Sequence, residues 1–96
     1  MPPRSPEERR LLAAADRVYE LLDAIRLDPT EERVRALASA FETLQYFAGA
    51  ARESGADTRY VDDVVERARR AAVKVVQDFV TPLVDPRELG IDPTEL

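Results

Sequence analysis

The sequence lacks cysteine, histidine and tryptophan, and each absence removes a class of chemistry. Without cysteine there is no disulfide framework, no thiolate nucleophile and no thiolate metal site. Without histidine the commonest general base and the commonest metal ligand are both missing. The serines of the chain therefore have no imidazole to activate them. We expect that the protein is not an enzyme and that it holds no cofactor and no metal.

Lysine is nearly absent as well, since Lys74 is the single lysine among 14 basic residues. The 19 acidic residues outnumber the basic ones and give a formal net charge of −5. Duplex binding depends largely on phosphate neutralisation, so this balance argues against a nucleic-acid partner. The one basic run, Arg67, Arg69, Arg70 and Lys74, has acidic neighbours and no interleaved aromatic side chains for base stacking.

Long apolar runs are also missing. No stretch approaches the roughly 20 apolar residues that cross a bilayer, so we expect no membrane partner. The first four residues, Met-Pro-Pro-Arg, have no apolar segment behind them and do not resemble a signal peptide. A cytoplasmic location is therefore expected. An apolar content of 45% over 96 residues is typical of one globular domain, here 1–96.

What the sequence does contain is helical periodicity. Apolar residues recur at spacings of three and four in three segments, which predicts helices over 6–26, 29–53 and 58–80. The predicted core-facing residues of the three helices are Leu11, Ala15, Val18, Leu22 and Ile25; Val34, Leu37, Phe41, Leu44, Ala48 and Ala51; and Val61, Val65, Ala68, Ala72, Val75, Val76 and Phe79.

Helix-capping signals mark the ends of these segments. A Ser/Asp-Pro-x-Glu motif occurs four times, at 5–8, 28–31, 85–88 and 92–95. Each copy supplies an N-cap oxygen, a proline at the first helical position and an acid near the positive end of the helix dipole. Asp57 is the predicted N-cap of the third helix, and Gly55 is placed where a glycine ends a helix.

Short connections between matched helices favour an all-α, antiparallel three-helix bundle. The last two capping motifs predict a short helical C-terminal tail, with turns at 86–89 and 93–96. We interpret this tail as the cover for a second apolar line formed by Val73, Val80 and Val84. Residues 1–4 are predicted to be frayed.

The stereotyped caps, matched helix lengths and short loops, together with the missing Cys, His and Trp, resemble a de novo designed helical bundle. No natural family is matched by the sequence. Two features are instead typical of a natural protein from a GC-rich genome: the use of arginine in place of lysine, and the many valines of the third helix. The alternative of a natural bacterial regulatory or adaptor protein therefore stays open.

Acidic clusters lie on the first and third helices, away from the apolar stripes, as Asp16, Glu20 and Asp23 and as Asp62, Asp63 and Glu66. We interpret them as solvated helix faces and not as paired catalytic carboxylates, which would have to converge in a cleft. The i,i+4 spacing predicts the ion pairs Asp63–Arg67, Glu66–Arg70 and Lys74–Asp78.

Exposed aromatic side chains carry the leading functional prediction. Tyr46 falls opposite the core stripe of the second helix, and Phe47 falls at its edge. Tyr60 and Leu27 are weaker candidates for the same surface. Because aromatic residues anchor many interfaces, the pattern predicts a non-catalytic scaffold or protein-binding module. Its contact could be a protein partner or, through self-association, a second copy.

A small-molecule-binding bundle is the less favoured alternative. Alanines are abundant in the core stripes, and they predict either closely packed helices or a cavity for a ligand. The cavity alternative expects a void among Ala15, Ala48, Ala68 and Ala72.

Overall fold

The computed structural model describes residues 5–80. Within them three α-helices all pack against one another: α1 (Pro6–Leu27), α2 (Glu31–Glu53) and α3 (Thr58–Val75), which continues as a π-helical segment, Val76–Val80. The prediction of an all-α three-helix bundle is confirmed. Residues 1–4, the predicted turns at 86–89 and 93–96, and the predicted cover of the valine line lie outside the described residues.

The start of α1 follows the predicted capping motif. The Ser5 hydroxyl accepts a hydrogen bond from the backbone N–H of Glu8 at 3.2 Å, and Pro6 occupies the first helical position. Proline costs nothing there because the first N–H groups of a helix have no intrahelical acceptor. Glu7 and Glu8 lie in the first turn, at the positive end of the helix dipole. The helix ends at Leu27, one residue beyond the predicted end.

The predicted start of α2 is wrong by two residues. Thr30, and not Asp28, is the N-cap, since the Thr30 hydroxyl accepts from the backbone N–H of Arg33 at 3.2 Å. Asp28 instead ends α1, its N–H donating to the carbonyl of Ala24 at 3.0 Å. Arg33 bridges the two helix ends at this corner, because its Nη1 donates to the carbonyls of Ala24 (3.0 Å) and Asp28 (2.7 Å). The arginine thus ties the last turn of α1 to the first turn of α2.

The corner between α2 and α3 has the predicted glycine. Gly55 has a φ of +95°, a conformation that residues with a Cβ rarely adopt. The N–H of Ala56 donates to the carbonyl of Ala51 at 3.0 Å, and that of Gly55 to the carbonyl of Arg52 at 3.1 Å. These two bonds define a Schellman motif. Asp57 then caps α3 by accepting from the N–H of Arg59 at 2.9 Å, as predicted.

The third helix does not stay α-helical to residue 80. Its α-helical part ends at Val75, and Val76–Val80 forms a wider, π-helical segment. A π-helix takes more residues per turn, so side chains four apart no longer align. This explains why, among the described residues, Lys74 and Asp78 form no ion pair, contrary to the prediction. The other two predicted pairs are present, Asp63–Arg67 at 3.0 Å and Glu66–Arg70 at 3.2 Å.

The core matches the predicted stripes closely. Every predicted residue of α1 and α2 is buried, whereas Val65 and Phe79 are only partly buried. The residues from 5 to 80 include no buried polar or charged side chain. The core is rich in alanine, which permits a close approach of the helices. The buried alanines are Ala14, Ala15, Ala40, Ala48, Ala51, Ala68 and Ala72.

Candidate protein-binding face of α2

The acidic clusters of α1 and α3 are solvated and mostly ion-paired. On α1, Glu20 pairs with Arg17 at 3.4 Å, and Asp23 with Arg26 at 3.3 Å. On α3, Asp62 pairs with Arg52 of α2, which links the two helices. These side chains are between 41% and 74% exposed, and pairs as exposed as these contribute little to stability. No cluster of three potential metal ligands occurs within 5–80.

No helix of the residues that the structure describes combines the length and the apolar character needed to cross a membrane.

Tyr46 and Phe47 form the aromatic pair at the centre of the predicted contact surface. Tyr46 is 73% exposed, whereas Phe47 is partly buried and packs against the core. Their ring centroids lie 5.5 Å apart with an interplanar angle of 71°, an edge-to-face arrangement that aromatic rings prefer. The ring of Phe47 is therefore held by the core, and it supports the exposed ring of Tyr46.

The other two predicted residues, Leu27 and Tyr60, lie at opposite ends of the bundle. Leu27 is 87% exposed and lies at the end of the bundle where α1 meets α2. Tyr60 is partly buried in the first turn of α3, at the opposite end. The two ends are separated by the length of α2, about 35 Å at ~1.5 Å per residue. A single contact surface can therefore include Tyr46 and Phe47, but it cannot be centred on all four residues.

A second stripe on α2, which the sequence analysis overlooked, extends this aromatic pair into a surface. Its members recur at spacings of three and four, on a flank about 130° around the helix from the core stripe. None of them is charged, and only Ala40 is fully buried. We call them the second stripe: Ala36, Ser39, Ala40, Thr43, Tyr46, Phe47 and Ala50.

The sequence signal for this stripe is a local loss of charge. The sixteen residues 36–51 contain one charged residue, Glu42, in a chain of which 34% is charged. Glu42 lies about 100° around the helix from Thr43, at the outer edge of the second stripe, one turn before Tyr46. The polar atoms on the stripe are partly satisfied within it, since the Thr43 hydroxyl donates to the carbonyl of Ser39 at 3.1 Å. Depletion of charge around aromatic residues is characteristic of interface centres.

An open groove adjoins the aromatic pair along the same stripe. Its volume is about 290 Å³, and it follows the seam between α1 and α2. The buried alanines Ala14 and Ala40 lie at its bottom, and Arg17 is the one charged residue on its border. The remaining lining residues are Ala36, Ser39 and Thr43. The second stripe thus offers a projecting aromatic pair and, next to it, a concave surface of small side chains.

The four alanines of the ligand-cavity alternative lie elsewhere. Ala15, Ala48, Ala68 and Ala72 are all within the core, at most 5% exposed, and none of them borders the groove. A ligand in their midst stays a prediction.

Comparison of the chain with protein-family models, with curated proteins and with solved structures finds no match.

Proposed function

We propose that the protein is a non-catalytic helical module that binds protein through the second stripe of α2. The observation that carries this proposal is the exposure of Tyr46 on a rigid helix, supported edge-to-face by Phe47 at 5.5 Å. Covering an exposed aromatic ring on a helix face with few charges lowers the free energy of the complex. Because the backbone around Tyr46 is already helical, little backbone ordering entropy opposes that stabilisation.

The surroundings of Tyr46 support the same function. Residues 36–51 hold a single charged side chain, so a partner would desolvate few charges on contact. Charged residues border the stripe beyond both ends, with Arg35 on one side and Glu53 on the other. An uncharged centre with a charged rim is the usual anatomy of an interface. The α1 and α3 faces, by contrast, carry the exposed ion pairs of an ordinary solvated surface.

Site-specific photo-cross-linking in living cells tests this proposal. A benzophenone amino acid replaces Tyr46 in one variant and Arg67 on the exposed face of α3 in a control. The proposed function predicts covalent protein adducts from position 46 and few or none from position 67. Equal adduct yields from the two positions, or no protein adduct from position 46, would overturn it.

A further inference from the structure

We infer that the protein bound on the second stripe is a second copy of this chain, joined by a twofold axis that passes near Thr43. This inference rests on the proposed function, because it needs the second stripe to be a contact surface. It goes further by naming the occupant and the register.

The second stripe is complementary to itself. The aromatic pair at 46–47 and the groove residues at 36–43 share one face of α2, their centres about 10 Å apart at ~1.5 Å per residue. A twofold axis between them brings each aromatic pair over the groove of the other copy. Every contact is then made twice, as in any isologous interface, and the surface closes without further copies.

The register follows from the axis. In an antiparallel α2–α2 pair centred on Thr43, a residue n positions after 43 lies at the same level as the residue n positions before it, and each flank of one helix meets the same flank of the other. Tyr46 then lies over Ser39 of the other copy, Phe47 over Ala40, and Ala50 beside Ala36. Each large ring meets a small side chain, and alanine meets alanine at the ends, so the two helices can approach closely.

The charges at the rim are complementary under the same axis. Arg35 lies eight residues before the axis, and Glu53 lies ten residues after it. An antiparallel pair therefore brings Arg35 of one copy near Glu53 of the other, with an offset of about 3 Å along the helix. Both side chains are exposed and long enough to span that offset, and Arg35, which pairs with Glu31 of its own helix at 2.6 Å, then lies near a second carboxylate. The opposed helix dipoles also favour the antiparallel arrangement.

A cation lies at the border of the groove. It is Arg17, whose side chain is 61% exposed and pairs with Glu20 of its own helix at 3.4 Å. An aromatic ring inserted from the other copy comes near this guanidinium, which also attracts the face of an aromatic ring. The groove thus offers the aromatic pair of a second copy an apolar bottom together with a cation at the edge.

The size of the contact sets the expected strength. The second stripe runs about 21 Å along α2, which places the interface at the small end of specific protein contacts. We therefore expect a reversible dimer whose population rises with concentration.

Sedimentation equilibrium of the full chain tests the inference. The unmodified protein is expected to pass from one chain mass to two as its concentration rises. Tyr46→Arg is expected to raise the dimer dissociation constant about 30-fold or more, the usual effect of losing an interface hot spot. Tyr19→Arg is the matched control, since Tyr19 is an exposed tyrosine on the flank of α1 opposite to Arg17 and the groove. It is expected to change the dimer dissociation constant less than about twofold.

Engineered cysteines test the register, and the natural absence of cysteine makes the result unambiguous. Thr43→Cys, at the axis, is expected to form a disulfide-linked dimer in air much faster than Asp16→Cys, an exposed control on α1. Equal rates for the two variants would overturn the register.

A different protein on the second stripe, or the chain's own residues 81–96, would give different results. A chain that stays monomeric at all concentrations, yet cross-links to a different protein from position 46 in cells, overturns the dimer and leaves the proposed function standing. Photo-cross-linking of the purified chain from position 46 into its own residues 81–96 overturns both. A dimer that persists unchanged in Tyr46→Arg also overturns this inference.

Discussion

The ring of Tyr46 meets the ring of Phe47 edge-on, 5.5 Å away, on the flank of a helix whose middle is almost free of charge. Phe47 belongs partly to the core, and Tyr46 belongs to the surface. The pair therefore connects the packing of the bundle with the face that we propose as its contact surface.

Phe41 and Tyr46 should respond very differently to truncation. Phe41→Ala removes a buried ring of the core and should lower the free energy of unfolding by about 3–5 kcal/mol. Tyr46→Ala removes an exposed ring and should change it by less than about 0.5 kcal/mol. Denaturant unfolding at a concentration low enough to keep the chain monomeric checks both. A loss of several kcal/mol from Tyr46→Ala would show that Tyr46 serves the fold.

The coupling between the two aromatic rings can be measured separately. A double-mutant cycle of Tyr46→Leu and Phe47→Leu should give a coupling free energy of about 0.5–1 kcal/mol, because the edge-to-face contact exists only when both rings are present. Unfolding of the two single variants and the double variant supplies the value. Strict additivity would mean that Phe47 does not hold the Tyr46 ring in place.

Arg33 should matter more for stability than Arg35, although both lie in the first turns of α2. Arg33→Ala removes the hydrogen bonds to the carbonyls of Ala24 and Asp28 and should cost roughly 1–2 kcal/mol. Arg35→Ala removes an exposed ion pair with Glu31 and should cost less than about 0.5 kcal/mol. Thermal unfolding of the two variants provides the comparison. An equal loss from both would remove the role assigned to Arg33 at the α1–α2 corner.

Two glycines should respond to alanine with opposite signs. Gly55→Ala forces a side chain into a φ of +95° and should destabilise the fold by about 1–2 kcal/mol. Gly49→Ala lies inside α2, where an added Cβ meets nothing within 4 Å, and should stabilise it by about 0.5–1 kcal/mol. Denaturant midpoints of the two variants check the signs. Stabilisation by Gly55→Ala would contradict the role of Gly55 in ending α2.

Much of the fold follows from local sequence. The spacing of apolar residues predicts three helices and their buried faces, because helical period and burial are linked directly. The caps at Ser5 and Asp57 are correct since each side chain has one nearby helix start to serve. The cap at Asp28 is wrong because Asp28 and Thr30 are both competent caps. At the same corner Arg33 hydrogen-bonds back to the carbonyl of Ala24 in α1, a contact that no local pattern shows.

The π-helical end of α3 and the second stripe of α2 were not predicted, and the reasons differ. The apolar period runs on through Val75, Val76 and Phe79, so nothing in it marks the change to a π-helical segment at Val76. The second stripe left a clear signal, namely a single charge within 36–51. That signal lies in the distribution of charge along α2. Inspection of Tyr46 and Phe47 as individual exposed residues does not reveal it.

The most direct test of a second copy on the second stripe is a dilution series of amide NMR spectra of the purified chain. If the stripe is the contact, amide resonances of 36–50 should shift with concentration, together with that of Arg17. Those of Arg59, Asp63 and Arg67 on the exposed face of α3 should stay constant. Spectra that do not change with concentration, or shifts confined to α3, would contradict the account.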